Sequence, residues 1–210
     1  MSSTIAIVDY GMANLRSVQK AFEHVGHAAA VVSDPDDIAR ADKVVLPGVG
    51  AFCDAVATLR EKGFADPIVR HIERGRPFLG ICLGLQMLFD VGYEDGEHRG
   101  LGVLPGKCVR FDVDADAAGA GRLKVPHMGW NGLTHVRRSP IMAGLADDAG
   151  VYFVHSYHVE PADADVVATT TDYGRPFVSS VWRDNVMATQ FHPEKSQKVG
   201  LQILANFAGM

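Results

Sequence analysis

The stretch "PFLGICLGLQ", Pro77 to Gln86, decides how the rest of the chain is read. Its first half, "PFLGI", is a short apolar run of the kind that forms a strand buried on both faces. "GICLG" then sets one cysteine, Cys82, between two glycines, and Leu85, Leu88 and Phe89 follow at helical spacing. Strand, glycine-flanked turn and helix in that order make a nucleophile elbow, in which a strained turn lifts a reactive side chain off the edge of a sheet. At a helix N-terminus the dipole and free N–H groups favour a thiolate and an oxyanion, and the Leu83 N–H is the natural oxyanion donor. A free cysteine is equally at home as a small buried hydrophobe, so this stretch alone supports reactive thiol and core filler alike.

Moving toward the N-terminus, strand and helix patterns alternate. "TIAIVDYG" (Thr4 to Gly11) is a β-branched apolar run closed by a turn residue, and Leu15, Val18, Phe22 and Val25 predict a helix stopped at Gly26. "AAAVV" and "KVVLPG" (Lys43 to Gly48) are the second and third strands and "PFLGI" (Pro77 to Ile81) the fourth, with helices near Asp54 to Lys62 and Asp66 to Arg74. Such alternation predicts right-handed crossovers and an α/β fold: a doubly wound, mixed but mostly parallel sheet flanked by helices.

After about Gly100 the rhythm changes. "KCVRFDV", "GLTHVRR", "VYFVHSYHV", "DVVATTT", "FVSSVW" and "VMATQF" are strand-like runs separated by Gly, Pro or Asp, which predicts antiparallel β additions in the C-terminal half. Lys198 to Phe207 is a final amphipathic helix, and the small, acidic Asp112 to Arg122 is a surface loop. With no internal repeat and no long linker, residues 1–210 are expected to form a single domain.

Composition narrows the function classes. The chain is 47% hydrophobic and 21% charged, ordinary for a globular protein without a membrane span, and its net charge of -5 offers no footprint for nucleic acid. "MSSTIAIVDYG" lacks the basic and long apolar regions of a signal peptide, and three dispersed cysteines (Cys53, Cys82, Cys108) suit a reducing compartment, so a cytoplasmic location is expected. His155 and His158 in "HSYH" have neither a cysteine ligand nearby nor an HExxH pattern; they are expected to line the core or the site, and no metal or cofactor is expected. Cys53 and Cys108 have no comparable elbow and are expected to be inert.

A thiol nucleophile needs a base, and the base an orienter. "ATQFHPEKS" supplies both: Pro193 takes the chain out of the sheet after His192, and in extended backbone Glu194 lies on the same side as His192, where its carboxylate can fix the imidazole tautomer. "LPGVGAF" (Leu46 to Phe52) follows the third strand and opens at the same carboxyl edge as Cys82, a backbone suited to donating N–H groups to an anion.

Together "GICLGLQ", "LPGVGAF" and "QFHPEKS" resemble class I glutamine amidotransferases, and the resemblance runs from Val8 to the terminal helix. It implies Cys82 as the nucleophile forming a γ-glutamyl thioester, His192 as base and later acid, and Glu194 as its orienter. The oxyanion hole would combine the Leu83 N–H with the backbone around Val49 and Gly50, the latter after a rearrangement triggered by a partner. Gln86, Glu94, His155, Ser156 and Tyr157 would line the glutamine pocket, with Glu94 meeting the substrate α-ammonium.

"VDYGMANLRSVQKAFE", "VPHMGWN" and "FVHSYHV" further resemble one branch of that family. Its members hand ammonia to a (β/α)8-barrel cyclase subunit that forms imidazole glycerol phosphate and an aminoimidazole carboxamide ribotide in histidine biosynthesis. The same two later motifs set the chain apart from the small subunit of anthranilate synthase; a peptidase or γ-glutamyl hydrolase would act without any synthase. The partner contact is expected at Lys195 and in "PHMGWN", at Met128, Trp130 and Asn131. The branch usually has glycine where this chain has Ala13; a positive φ there would be strained, with consequences for Asn14 near the site or interface.

Overall fold

The computed structural model describes residues 4–112 and 123–210. Strand β1 (Ile5–Val8) pairs parallel with β2 (Ala29–Val32) on one side and β3 (Lys43–Gly48) on the other. β3 in turn pairs parallel with β4 (Phe78–Cys82). Helices α1 (Leu15–His24), α2 (Asp36–Arg40), α3 (Phe52–Glu61) and α4 (Ala65–Glu73) fill the connections. All but α2 match expected elements; α2 is too short for an apolar period to announce it.

After β4 the helix is cut short. α5 covers only Leu83–Gln86, and Phe89, expected on the same helix, already begins β5 (Phe89–Gly92). Phe89 pairs with Leu104 of β7 (Leu104–Arg110), and both are fully buried, so cross-strand packing overrides the helical spacing. The two-residue β6 (His98–Arg99) lies between them in sequence and pairs antiparallel with β5.

The C-terminal half continues with β8 (His127–Gly132), β9 (Thr134–His135), β10 (Gly150–His155), β11 (Tyr157–Pro161), β12 (Val167–Asp172), β13 (Pro176–Arg183) and β14 (Val186–Thr189). Helix α6 (Gln197–Ala208) closes the chain. The large sheet runs β2-β1-β3-β4-β14-β13-β11-β7-β5-β6, with β12 and β9 attached beyond β13, while β8 and β10 form a separate antiparallel pair. The expected mixed sheet is therefore present: parallel from β2 through β14, antiparallel from β13 onward except for the parallel β5–β7 pair. "VYFVHSYHV" is two strands rather than one, and at Ser156 the chain leaves the small pair and joins the large sheet. The expected loop at Asp112 to Arg122 lies, from residue 113 on, outside the described residues.

Both faces of the parallel region are covered, as period-two alternation requires. Ala6, Val8, Val44 and Leu46 pack with Ile38, Val56, Leu59 and Ile68 from α2, α3 and α4 and with Phe64, which caps α4. Ile5, Ile7, Val45, Leu79 and Ile81 face the other way, onto Val18 and Phe22 of α1 and Ile203, Leu204 and Phe207 of α6. Among the described residues, no helix is long and apolar enough to cross a membrane.

Candidate active site

The elbow is built by close approach. Cys82 has φ 55 and ψ -108, a conformation that L-residues rarely hold, and the turn around it leaves no room for flanking side chains. A Cβ on Gly80 would come within 2.8 Å of the Gly84 carbonyl oxygen, and one on Gly84 would overlap the Leu46 carbonyl oxygen. The glycines thus let β3, β4 and α5 meet at one point. There Cys82 stands opposite Gly48 in the β3–β4 register.

β14 brings the second half. It is inserted parallel to β4, with Thr189 opposite Ile81, so Gln190, Phe191 and His192 continue past the same carboxyl edge that ends in Cys82. His192 then caps a 3-10 turn, Pro193–Lys195. Its Nδ1 lies 2.8 Å from Glu194 Oε1, and both side chains are almost fully buried. The pair forms as expected, but through this turn rather than through extended backbone: Pro193, with its fixed φ, starts the turn and folds Glu194 back onto the imidazole. The turn is clamped to β10, because His192 N–H donates to Tyr152 O, Ser196 Oγ donates to His192 O, and Tyr152 N–H donates to Ser196 Oγ.

Nε2 of His192, the ring nitrogen that Glu194 leaves unoccupied, has no hydrogen-bond partner among the described residues. Burial disfavours the imidazolium, but the neighbouring Cys82 sulfur and then the bonded Glu194 carboxylate outweigh it and raise His192 to about 10. Cys82 itself is 7% exposed. The other thiols are held protonated, Cys108 well above its usual range by burial and Cys53 raised by desolvation and the neighbouring Asp54.

A cavity of about 410 Å³ opens beside Cys82, within the usual range of small-molecule sites, roughly 300–1,000 Å³. Its wall includes Val49, Gly50, Leu83, Gln86, Glu94, His155, Ser156, Tyr157, His192 and Lys195, so every expected pocket residue converges on it. Glu94 Oε2 accepts the Phe52 N–H at 2.6 Å, tying this loop carboxylate to the first turn of α3. The Val49 N–H is committed to the Met12 carbonyl at 2.9 Å. Pro126, Val154 and Gln190, which lie within the quoted motifs without being singled out as site residues, are also here: the first two line the cavity, and Gln190 lies between Gln86 and Cys82. A glutamine at the end of the apolar run "VMATQF" is the available signal for the last.

A family model described as "Glutamine amidotransferase class-I" matches residues 6–209. The chain belongs to this family. "Imidazole glycerol phosphate synthase subunit HisH" of Syntrophotalea carbinolica is 62% identical over 206 residues, covering 98% of this chain and 100% of that protein. The protein of the same name from Aquifex aeolicus is 55% identical over 202 residues, 96% of this chain and 94% of the relative. This amidotransferase is thus a member of the HisH group. In fold it matches the solved structure of PurLQS from Thermotoga maritima with a TM-score of 0.74 at 19% identity, covering 100% of this chain and 99% of that one, and a glutamine amidotransferase crystal structure with a TM-score of 0.73 at 21% identity, covering 98% and 99%.

Past Pro126 of the cavity wall, the amidotransferase exposes Met128 and Trp130 by 62% and 52% on β8, large apolar side chains that a folded chain ordinarily buries. Trp130 packs edge-on against Tyr152, and Lys195 Nζ lies 5.8 Å from the same Tyr152 ring. Asn131 turns inward: its Nδ2 donates to Asp172 O and approaches His127 Nε2. Behind it, His127 and His155 join through Nδ1 and Nε2 at 3.1 Å, and burial lowers them to about 4 and about 3. His158 is also buried and lowered but lies outside this cavity, so of the two histidines of "HSYH" His155 is a neutral wall residue and His158 a neutral buried one, and no cluster of three or more His, Cys, Asp or Glu among the described residues could hold a metal. Ala13 is not among the positive-φ residues, so the departure from glycine introduces no strain; Asn14 lies with Pro47, Val49, His192 and Glu194 around a small cleft behind the His–Glu pair.

Proposed function

We propose that this protein is the glutaminase subunit of an imidazole glycerol phosphate synthase, a single domain working in the cytoplasm beside a (β/α)8-barrel cyclase subunit. It hydrolyses glutamine to glutamate and ammonia and passes the ammonia on for synthesis of imidazole glycerol phosphate and the aminoimidazole carboxamide ribotide. The observation that carries the reading is the convergence of Cys82 and the buried His192–Glu194 pair on one cavity at the carboxyl edge of β4 and β14.

The raised His192 supports a protonated imidazole beside the sulfur in the resting site. The thiolate attacks the γ-carboxamide carbon, and the oxyanion is received by the Leu83 N–H together with the Val49–Gly50 backbone. The Val49 N–H must first leave the Met12 carbonyl, which gives the partner a step to control. His192 then gives its proton to the departing ammonia, leaving the γ-glutamyl thioester on Cys82. In the second half it takes a proton from water, whose attack expels the Cys82 thiolate, releases glutamate and leaves His192 protonated again. Glu194 keeps Nε2 toward the reacting atoms by holding Nδ1–H. Gln86, Glu94, His155, Ser156 and Tyr157 hold the substrate, with the Glu94 carboxylate facing its α-ammonium. Met128, Trp130, Asn131, Lys195 and the nearby Asn14 meet the cyclase, and Trp130 is the anchor.

The test is glutamate release by the purified chain alone, with the cyclase, and with cyclase plus its nucleotide ligand. Release is expected to be slow alone and to rise in the ligand-bound complex. Full turnover by the isolated chain would instead favour a free-standing hydrolase.

A further inference from the structure

We infer that Gln190, oriented by Gln86, is a positioning residue for the Cys82 thiolate. The inference rests on Cys82 being the nucleophile proposed above. Gln190 is fully buried, and its backbone N–H donates to Ser179 O at 2.9 Å, which keeps this residue in the sheet beyond the end of β14. Its side chain spans the gap between two others: Oε1 faces Gln86 Nε2 at 3.1 Å, and Nε2 faces Cys82 Sγ at 3.7 Å.

An amide's oxygen and nitrogen have nearly the same shape, so its direction must come from its partners. Here one carbonyl decides. Tyr157 O can only accept, and it lies 3.1 Å from Gln86, so the Gln86 atom facing it is the NH2 group. The second N–H of that group points at Gln190, which must answer with its oxygen. That leaves the Gln190 NH2 toward the sulfur. His155 Nδ1 donates to the same Tyr157 oxygen at 2.8 Å, filling its second lone pair and fixing the polarity of the string.

An N–H donor on sulfur favours the thiolate over the thiol and gives the anion a fixed partner in addition to His192. A wholly buried amide is costly wherever its bonds are not made, so an apolar residue at this place would be the simpler way to fill a core. The polar string ends at the one reactive atom of the pocket.

The experiment reads the pH dependence of Cys82 alkylation by iodoacetamide in the full chain. Following the Cys82 peptide by mass spectrometry keeps Cys53 and Cys108 out of the signal. kcat and KM for glutamine are measured in parallel in the complex with the cyclase. In Gln190→Met the alkylation midpoint is expected to rise by about one pH unit. kcat should fall about tenfold, with a smaller change in KM, since Gln86 loses one partner but keeps its bond to Tyr157 O. Gln190→Glu keeps the size and can still accept from Gln86, but turns a carboxylate on the sulfur, so its midpoint should rise further. A midpoint within about 0.3 pH unit of the wild type in either folded variant overturns the assignment, and a change confined to melting temperature makes Gln190 a core residue only. Alkylation is read without glutamine. Failure of the glutaminase reading would therefore appear as absent glutamate release by the wild-type complex, separately from any shift in the midpoints.

Discussion

Cys82 and His192 meet across one cavity, yet they are set in place by opposite means. Cys82 is fixed by a local device, the turn from Gly80 to Gly84 where β4 passes into α5, in which two glycines permit a contact that a single methyl group would block. His192 is fixed by distant parts: β14 inserted next to β4, a hydrogen bond to Tyr152 across the chain, and Ser196 closing the turn. The wall beyond it gathers residues from β10, β11 and the approach to β8. A local device breaks all at once; a distributed one yields by degrees.

Four substitutions or conditions sharpen this contrast, in falling order of effect. Cys82→Ala should reduce glutamine-dependent synthesis by about 10⁴-fold or more while ammonia-supplied synthesis by the complex stays within about twofold, because only the ammonia source is lost. Loss of both activities would contradict the division of labour. Gly84→Ala should destabilise the fold by about 3 kcal/mol in urea unfolding, since its Cβ would overlap the Leu46 carbonyl oxygen in rigid backbone. An unchanged midpoint would mean that the elbow relaxes freely.

Glu194→Gln should lower kcat by about 10²-fold, clearly less than loss of the thiol, because an amide can still orient the ring but cannot balance its charge. Equal losses in the two variants would give Glu194 a more direct part in the chemistry. The smallest effect concerns pH. Burial holds His155 at about 3 and His127 at about 4, below the unfolded value of about 6.5. As pH falls below that value the unfolded chain takes up these protons first. The neutral pair's contribution is therefore complete above pH 6.5 and is lost toward pH 4 and 3, at about 1.4 kcal/mol per pH unit for each ring. His192 runs the other way: its contribution is complete below the unfolded value of about 6.5 and is lost as pH rises through its folded value of about 10. Urea unfolding from pH 7 to 4.5 should show a shallower decline in His155→Gln than in the wild type; parallel slopes would refute the linkage.

The local device is the more legible of the two. Glycines flanking Cys82, the apolar runs at Ile5–Val8 and Lys43–Gly48, and His192 with Glu194 announce themselves within a few residues, because their signals are steric or periodic. The helix after Cys82 is shorter than its spacing predicts, since Leu85 and Leu88 fit a single turn equally well and only the distant Leu104 shows that Phe89 is in a strand. Gln190 and Ser196 carry no local pattern: their partners lie 108 and 44 residues away, at Cys82 and Tyr152. The turn at Ser156 is hidden for the same reason, as a change of sheet depends on which strand is waiting on each side.

The backbone of Cys82 also records a trade between durability and reactivity. At φ 55 and ψ -108 it occupies ground where glycine is relaxed and a β-carbon is not, at a cost of about 1–3 kcal/mol. Cys82→Gly, chemically dead, should therefore melt at a higher temperature than the wild type, and Cys82→Val at a lower one. The active protein is then the less stable one by choice of a single side chain, with the surplus to bear it supplied by the apolar layers on both faces of β4.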